Sequence, residues 1–151
     1  GRPLTDALLA MGLATASADG NVISVNVAGS SFGDEHLKQL EPSGKLRELH
    51  LAATQVTDAG MESIVRFTQL EQLFLAKCEV GDAAMQHVSR LEKLESLNLY
   101  GTRITTAALD QLGQLKKLRV LYITDVKLQA AAVDRLQQQL PQLKVTDYTP
   151  V

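Results

Sequence analysis

One histidine stands beside a carboxylate in a pattern that could support acid–base chemistry. Glu48 and His50 flank Leu49, and residues two apart lie on the same side of an extended strand. A histidine oriented by a carboxylate can act as a general base. No serine or cysteine in a recognised nucleophile motif accompanies the pair. The sequence therefore predicts no catalytic residue and a chain that is not an enzyme.

Three aspartates recur at one position of a repeating pattern. Asp34, Asp58 and Asp82 could form a stack of carboxylates that holds Ca²⁺, or each could cap the first turn of a helix. Thr106 takes the same position in the next repeat and Ala130 in the last one. Threonine caps helices well and binds calcium poorly. We therefore predict helix caps and no metal site.

Cys78 shares its position in the repeat with Ser30, Thr54, Thr102 and Val126. A reactive thiol needs a nearby base or positive charge, and the pattern places neither there. We expect Cys78 to be a buried residue whose side chain bonds turn backbone. No C-x-x-C-H motif occurs, so the sequence predicts no covalently attached haem and no other cofactor.

These residues belong to a repeat of 24 residues. The phrase L-x-x-L-x-L begins at Leu46, Leu70 and Leu94, and it recurs at Leu118 with Ile123 in the last position. An earlier copy begins at Val22, and a short final phrase runs from Leu140 to Val145, which gives five full repeats and a terminal strand. Within each unit, apolar residues first alternate with period two and then recur every three to four residues. Each unit is therefore a strand and a helix, and stacked units form a parallel sheet with helices behind it.

Composition limits the classes of function. The chain has 151 residues, of which 45% are hydrophobic and 21% charged, with a formal net charge of -2. Lysine and arginine are dispersed among acidic residues, which argues against a nucleic-acid partner. No apolar run is long enough for direct membrane insertion. The composition fits one domain or one repeat array.

The repeat resembles the leucine-rich repeat, and the segment from Val56 to Met61 resembles its VTDAGM variant. The resemblance implies an α/β solenoid, a segment of a right-handed horseshoe, with a concave parallel sheet of about six strands and convex helices. More narrowly, the segment from Leu97 to Thr102 and the closing Leu140-Pro141 resemble the C-terminal repeat domain of planctomycete-type membrane proteins with a c-type cytochrome domain. That resemblance implies a bacterial, membrane-anchored parent and an extracytoplasmic location, which the residues themselves leave unknown.

The predicted organisation has three parts. Residues 1–21 form an N-terminal cap, with Thr5 capping a short helix that ends at Gly12 and with a hairpin turn at Asp19-Gly20. Residues 22–148 form the repeats, and residues 149–151 form a tail.

Strand alternation predicts which side chains face outward on the concave sheet. Aromatic residues gather on this face, and Ala28, Ala52 and Ala76 leave a shallow trench that ends at Tyr100. The terminal phrase places Gln142 beside Val120 and Lys144 beside Tyr122. The predicted binding residues are Asn26, Glu48, His50, Gln72, Phe74, Asn98, Tyr100, Val120 and Tyr122.

Exposed aromatic residues are enriched where proteins bind partners. We therefore predict a leucine-rich repeat module that binds a protein or peptide on its concave face. The alternative is a structural spacer within a larger membrane-anchored redox protein, in which the aromatic residues only stabilise the sheet by packing across strands.

Overall fold

One continuous sheet forms a wall of the molecule and is built from short, mostly parallel strands. The computed structural model describes residues 2–41 and 44–151. Its strands are β1 (Ala14–Ala16), β2 (Val22–Asn26), β3 (Glu48–His50), β4 (Gln72–Phe74), β5 (Ser96–Asn98), β6 (Val120–Tyr122), β7 (Lys127–Leu128), β8 (Lys144–Val145) and β9 (Thr149–Pro150). The main sheet has seven strands in the order β1-β2-β3-β4-β5-β6-β8. From β2 to β8 every neighbouring pair is parallel, which confirms the predicted sheet.

The centre of each repeat strand contributes a leucine to one buried column. Its members are Leu49, Leu73, Leu97 and Leu121, which lie in register and have no exposed surface. The residues on either side of each leucine are half-buried or exposed. This alternation confirms that the flanking side chains face away from the core.

Helices form the opposite wall, one for each repeat. After α1 (Pro3–Ala10) they are α2 (Asp34–Gln39), the 3₁₀ helix Asp58–Arg66, α3 (Asp82–Val88), α4 (Thr106–Leu112) and α5 (Ala130–Gln139). Each repeat helix packs against its neighbours. The second one contains Gly60, and glycine has low α-helix propensity. None of the helices in the described residues is long and apolar enough to cross a bilayer.

The N-terminal cap is a helix followed by an antiparallel hairpin. α1 begins after Arg2 with Pro3 at its first position, where a missing N–H is tolerated. Thr5 therefore lies inside the helix and is buried, so the prediction that Thr5 is the cap is wrong. Gly12 ends the helical segment with a φ of 76°. The predicted hairpin is confirmed, because β1 pairs antiparallel with β2.

The hairpin turn closes around Asp19. The Ser17 hydroxyl donates to the Asp19 carboxylate, and the Asn21 N–H donates to the same oxygen at 3.1 Å. These hydrogen bonds, with the one from Ser17 contributing most, lower the pKa of Asp19 to about 2. Gly20 follows with a φ of 85°, a left-handed conformation that glycine adopts without strain.

The predicted register of the last strand is wrong. Lys144 lies opposite Val120, the position predicted for Gln142, and not beside Tyr122. The Gln142 amide instead donates to two carbonyl oxygens of the loop before β6, at 3.0 and 3.1 Å. The physical reason is a shorter connection. The buried Leu143 immediately precedes β8, whereas one residue, Arg119, separates the buried Leu118 from β6.

Residues 149–151 belong to the fold and are not a tail, which corrects the prediction. β9 pairs parallel with β7. The N–H groups of Thr149 and Val151 donate to the carbonyl oxygens of Val126 and Leu128 at 2.9 and 3.0 Å. This pairing extends the last repeat beyond its helix.

The turn after each repeat strand contains one left-handed residue. The positions are Gly29, Ala53, Lys77, Gly101 and Asp125, with φ between 55° and 74°. The first four donate their backbone N–H to a carbonyl of the following repeat at 2.8 to 3.3 Å. A residue with a β-carbon adopts this conformation at a cost of roughly 1–2 kcal/mol. The interstrand hydrogen bonds therefore continue through a strained turn.

One aspartate of the column, Asp58, caps a helix, and that helix belongs to the neighbouring repeat. Asp58 is the first residue of its own helix. Its Oδ1 accepts hydrogen bonds from Gly81 N at 2.8 Å and from Ala84 N at 3.2 Å, and Ala84 lies in the first turn of α3. The expected bond to a first-turn amide is present. The expectation that each aspartate caps its own helix is wrong.

The same link joins the other repeats. Asp34 accepts hydrogen bonds from the N–H and hydroxyl of Thr57, and Asp82 accepts the same two bonds from Thr105. In the following repeat, the hydroxyl of Thr106 accepts the N–H of the residue before α5, at 3.2 Å. These contacts fix the spacing of adjacent helices.

Cys78 is a buried structural residue, as predicted. The hydroxyls of Ser30, Thr54 and Thr102 donate to backbone carbonyls three residues earlier at 2.6 to 2.8 Å. The Cys78 thiol donates to the carbonyl oxygen of Leu51, in the previous repeat, at 2.9 Å. The column therefore satisfies turn backbone in the interior.

Candidate binding surface

The side chains that flank the buried leucines form the open sheet face, which is the outward surface of β2 to β6. Its middle row consists of Asn26, His50, Phe74, Asn98 and Tyr122, and the row before it consists of Ser24, Glu48, Gln72, Ser96 and Val120. The structure thus places all these residues in the predicted neighbourhood. Their role in binding stays a prediction.

His50, Phe74 and Glu48 form one cluster on this face. The rings of His50 and Phe74 stack with centroids 4.2 Å apart and planes 7° apart. Glu48 Oε1 lies 3.7 Å from His50 Nε2, which attracts the imidazole when it is protonated. The stack covers one face of each ring, so Phe74 is half-buried rather than open. The cluster presents a rigid surface with one polar edge.

Tyr122 is the most exposed aromatic residue of the open sheet face. Its exposed fraction is 38%, and Val120, two residues before it, is half-buried. In the register of the sheet, Asn98 lies between Phe74 and Tyr122. Asn98 therefore separates the two rings within the middle row. The single aromatic patch stays a prediction.

The predicted alanine trench lies along turns and not along strand positions, because Ala28, Ala52, Ala76 and Tyr100 each lie in the turn after a repeat strand. Tyr100 is half-buried. The Lys77 ammonium lies 5.6 Å from the centre of the Tyr100 ring, within cation–π range. Ala28 is exposed, and Ala52 and Ala76 are half-buried. The trench is thus open at the first repeat and bounded by the Lys77 ammonium of the third repeat and the Tyr100 ring of the fourth.

Asn26 and Asn98 have a local role that the sequence analysis missed. Each side-chain oxygen accepts the backbone N–H two residues later, from Ala28 at 3.1 Å and from Tyr100 at 3.0 Å. These bonds are typical of Asx turns, which stabilise the end of a strand. The two carbonyl oxygens are therefore occupied. The amide NH₂ groups are the parts that remain to face a ligand.

Charged residues at the starts of the strands border the open sheet face and were not among the predicted residues. Gln72, Ser96 and Val120 line a shallow hollow of about 270 Å³ together with Glu71, Glu95 and Arg119. The sequence could have indicated these residues, because Glu71, Glu95 and Arg119 are also spaced 24 residues apart. The alternation rule assigned only strand positions, and it left the preceding loops out.

The described residues contain no cluster of metal-ligating side chains. In residues 2–41 and 44–151, no group of three His, Cys, Asp or Glu side chains could hold a metal ion. The polar group beside the His50 ring is the Glu48 carboxylate, and the Cys78 thiol is buried in the interior. The surface therefore offers ring faces, hydrogen-bond donors and charge.

Comparison with solved structures identifies the architecture. An internalin of Listeria monocytogenes has a TM-score of 0.60 and 16% sequence identity, over 85% of this chain and 43% of that one. A leucine-rich repeat protein of Leptospira interrogans has a TM-score of 0.59 and 20% identity, over 83% and 37% of the two chains. The chain has a leucine-rich repeat fold. Internalin C2 of Listeria monocytogenes is similar over 98% of this chain and 84% of that one, with a TM-score of 0.56 and 14% identity.

This leucine-rich repeat chain spans less than half the length of the first two of these proteins. No protein-family model and no curated protein matches its sequence. At this level of identity the fold is shared, and no residue role can be transferred from one protein to another. The open sheet face corresponds to the concave side of the leucine-rich repeat solenoid.

Proposed function

We propose that this chain is a binding module that holds a protein segment or peptide on the open sheet face, with no chemistry of its own. The observation that carries the proposal is the exposed ring of Tyr122 beside Val120, on a sheet whose helices all lie on the opposite wall. An apolar ring at the centre of an interface contributes more binding energy than the polar rim around it.

The shape of the face supports an extended ligand. The alanine trench crosses the turns that follow three neighbouring strands, β2, β3 and β4, and strands in a sheet lie about 4.8 Å apart. Its end at Tyr100 and Lys77 gives an extended segment a defined stop. The NH₂ groups of Asn26 and Asn98 can donate to the carbonyl groups of such a segment. Recognition of this kind needs no movement of the backbone.

A second candidate, a structural spacer, is favoured by the stack of His50 on Phe74. A stacked cross-strand pair stabilises a sheet by about 0.2–1 kcal/mol without any partner. The resemblance to repeat domains of membrane-anchored cytochrome proteins fits either candidate, with the chain as a docking module or a spacer in an extracytoplasmic parent.

Selection of displayed peptides on the immobilised chain, followed by titration of the selected peptides, tests the proposal. Tyr122→Ala is expected to weaken binding by roughly thirtyfold, because loss of a central aromatic anchor costs about 2 kcal/mol or more. Phe74→Ala is expected to act in the same direction. Both side chains face away from the core, so the fold is retained, which thermal unfolding verifies.

Gln86→Ala is the matched control, because Gln86 is exposed on α3, on the helical wall. It should leave affinity unchanged. If Gln86→Ala lowers the affinity for the selected peptides and Tyr122→Ala leaves it unchanged, binding on the open sheet face is contradicted. If no peptide depends on Tyr122 or Phe74, and Phe74→Ala only lowers stability, the spacer is the correct function.

A further inference from the structure

A hollow with excess positive charge lies at the starts of β5 and β6, next to Val120. One part of it, about 330 Å³, is lined by Glu95, Lys116, Lys117, Arg119 and Gln142. A second part, about 310 Å³, shares both lysines and adds Glu92 and Lys93. Volumes of this size lie at the lower end of ligand clefts in proteins. We call this surface the basic hollow.

The charges of the basic hollow are not balanced within the chain. It contains four cationic side chains, Lys93, Lys116, Lys117 and Arg119, against two carboxylates, Glu92 and Glu95. The whole chain has a net charge of -2, so this surface has the opposite sign. In the described residues, none of the four cations forms an ion pair within 4.0 Å. Lys116 donates only to a backbone carbonyl, of Gly113, at 2.9 Å.

The loops that present these cations are held in place. In the two repeats, Leu94 N donates to Leu91 O and Leu118 N donates to Leu115 O, both at 3.0 Å. The Gln142 side chain then ties the second loop to the last repeat through the carbonyls of Lys116 and Leu118. The cations therefore extend from fixed backbone, which lowers the entropy lost when they bind an anion.

The basic hollow meets the open sheet face at Arg119. This side chain borders both the basic hollow and the shallow hollow that contains Val120, where Glu71 and Glu95 also lie, so the excess of positive charge is confined to the side of Lys116 and Lys117. Lys144 lies opposite Val120 in the register of the sheet and is exposed, which adds a further cation at this edge. A segment with its apolar side chain against Tyr122 and Val120 thus has its flanking residues over Lys117 and Arg119.

We infer that the partner segment is acidic: a peptide with carboxylate side chains flanking one apolar or aromatic residue, bound with the apolar residue at Tyr122 and the carboxylates in the basic hollow. This inference rests on the proposed function and specifies its ligand. Charge complementarity of this kind raises the association rate and fixes the register of the bound segment.

The probe is a short labelled peptide in which glutamates flank a central phenylalanine, titrated by fluorescence anisotropy at low and at high salt. A peptide with glutamine at each glutamate position is the matched ligand control. The single variants Lys117→Gln and Arg119→Gln, which each remove one positive charge, should each lower the affinity for the glutamate peptide by up to roughly fivefold. The charge reversal Arg119→Glu should lower this affinity by roughly tenfold or more. High salt should also lower the affinity of the unmodified chain for the glutamate peptide.

Lys38→Gln is the protein control, because Lys38 is exposed on α2 and the variant has the same change in net charge. It should leave the affinity within error. Vesicles of anionic phospholipid and a single-stranded oligonucleotide serve as competing anions. Binding of either at concentrations where the glutamate peptide does not bind would overturn the inference of a peptide partner.

The outcomes separate this inference from the proposed function. Equal binding of the glutamate and glutamine peptides, with loss on Tyr122→Ala, retains the binding face and overturns the acidic ligand. Binding that depends on Arg119 and ignores Tyr122 retains the acidic ligand and overturns the proposed apolar anchor. No detectable binding of the glutamate peptide overturns the inference, while the peptide selection still decides the proposed function.

Discussion

At the scale of single residues, the carboxylate of Asp58 serves the helix of the next repeat. Asp58→Ala should lower the free energy of unfolding by about 0.5–2 kcal/mol, because the Gly81 amide loses its acceptor and the Ala84 amide keeps only its bond to the Gly81 carbonyl oxygen. Amide hydrogen exchange should accelerate at Gly81 and Ala84. Glu62→Ala is the control, since Glu62 is an exposed carboxylate on the same 3₁₀ helix. It should change neither property measurably.

The calcium alternative is tested with the same variants. Melting of the unmodified chain should be unaffected by calcium or by a chelator, because each described aspartate of the column already binds backbone or hydroxyl donors. A melting temperature that rises with calcium and no longer does so in Asp58→Ala would contradict the capping role.

Ala53 holds a left-handed backbone with a φ of 55°. Ala53→Gly should raise the free energy of unfolding by up to about 1 kcal/mol, because glycine removes the steric cost of the β-carbon, offset in part by its greater freedom in the unfolded chain. Ala52→Gly, one residue earlier and without a positive φ, should be destabilising. Chemical denaturation of the two variants measures the difference, and stabilisation by both or by neither would show that the turn is unstrained.

The local roles of residues could be predicted from the sequence only in part. The side chain of Cys78 bonds turn backbone as its shared column indicates. The partner of Asp58 lies 23 residues away at Gly81, and periodicity shows that a position recurs without showing which repeat its side chain reaches. Thr5 has a residue type typical of caps, but Pro3 starts the helix earlier.

At the scale of elements, the leucine column determines how the strands stack. Leu97 lies fully buried between the neighbouring strands, and Ser96 beside it faces outward and is half-buried. Leu97→Ala should cost about 2–5 kcal/mol through lost transfer energy and the remaining cavity. Ser96→Ala should cost far less. Similar melting temperatures for the two variants would mean that the strand register is wrong.

Gly60 makes room for the link between the first two repeat helices. A β-carbon at this position would overlap the Asp34 carboxylate, which is itself bonded to Thr57. Gly60→Ala should therefore destabilise the chain by roughly 1–3 kcal/mol. In an Asp34→Ala background the same change should cost less, by at least about 0.5 kcal/mol. Additive effects in this double-mutant cycle would show that the overlap relaxes freely.

The parallel sheet could be predicted because four phrases with the same apolar spacing fix the register of four strands. The last strand lacks a full phrase, so its spacing could be assigned in more than one way. Lys144 opposite Val120 is the observed result. The pairing of Thr149 with the last repeat has no earlier copy in the chain, and periodicity gave no reason to expect it.

At the scale of the whole molecule, the sequence predicted the face but not its internal contacts. Alternation correctly placed Phe74 and Tyr122 on the open sheet face, two strands apart. Whether a ring stands open or lies against a neighbour depends on rotamers, and the stack of Phe74 on His50 is of this kind. The excess positive charge next to Val120 lies in loops, where the two-residue period does not apply.

The buried thiol of Cys78 allows the separation of stacked repeats to be measured by chemical labelling. The chain has one cysteine, it is 2% exposed, and it is bonded to the preceding repeat, so a water-soluble disulfide reagent reaches it only when these repeats separate. At reagent concentrations where reclosing is faster than labelling, the labelling rate in native buffer divided by the rate in denaturant is the equilibrium constant for that opening. A constant equal to that of global unfolding would mean that the repeats open together, whereas a larger constant would show that they open separately.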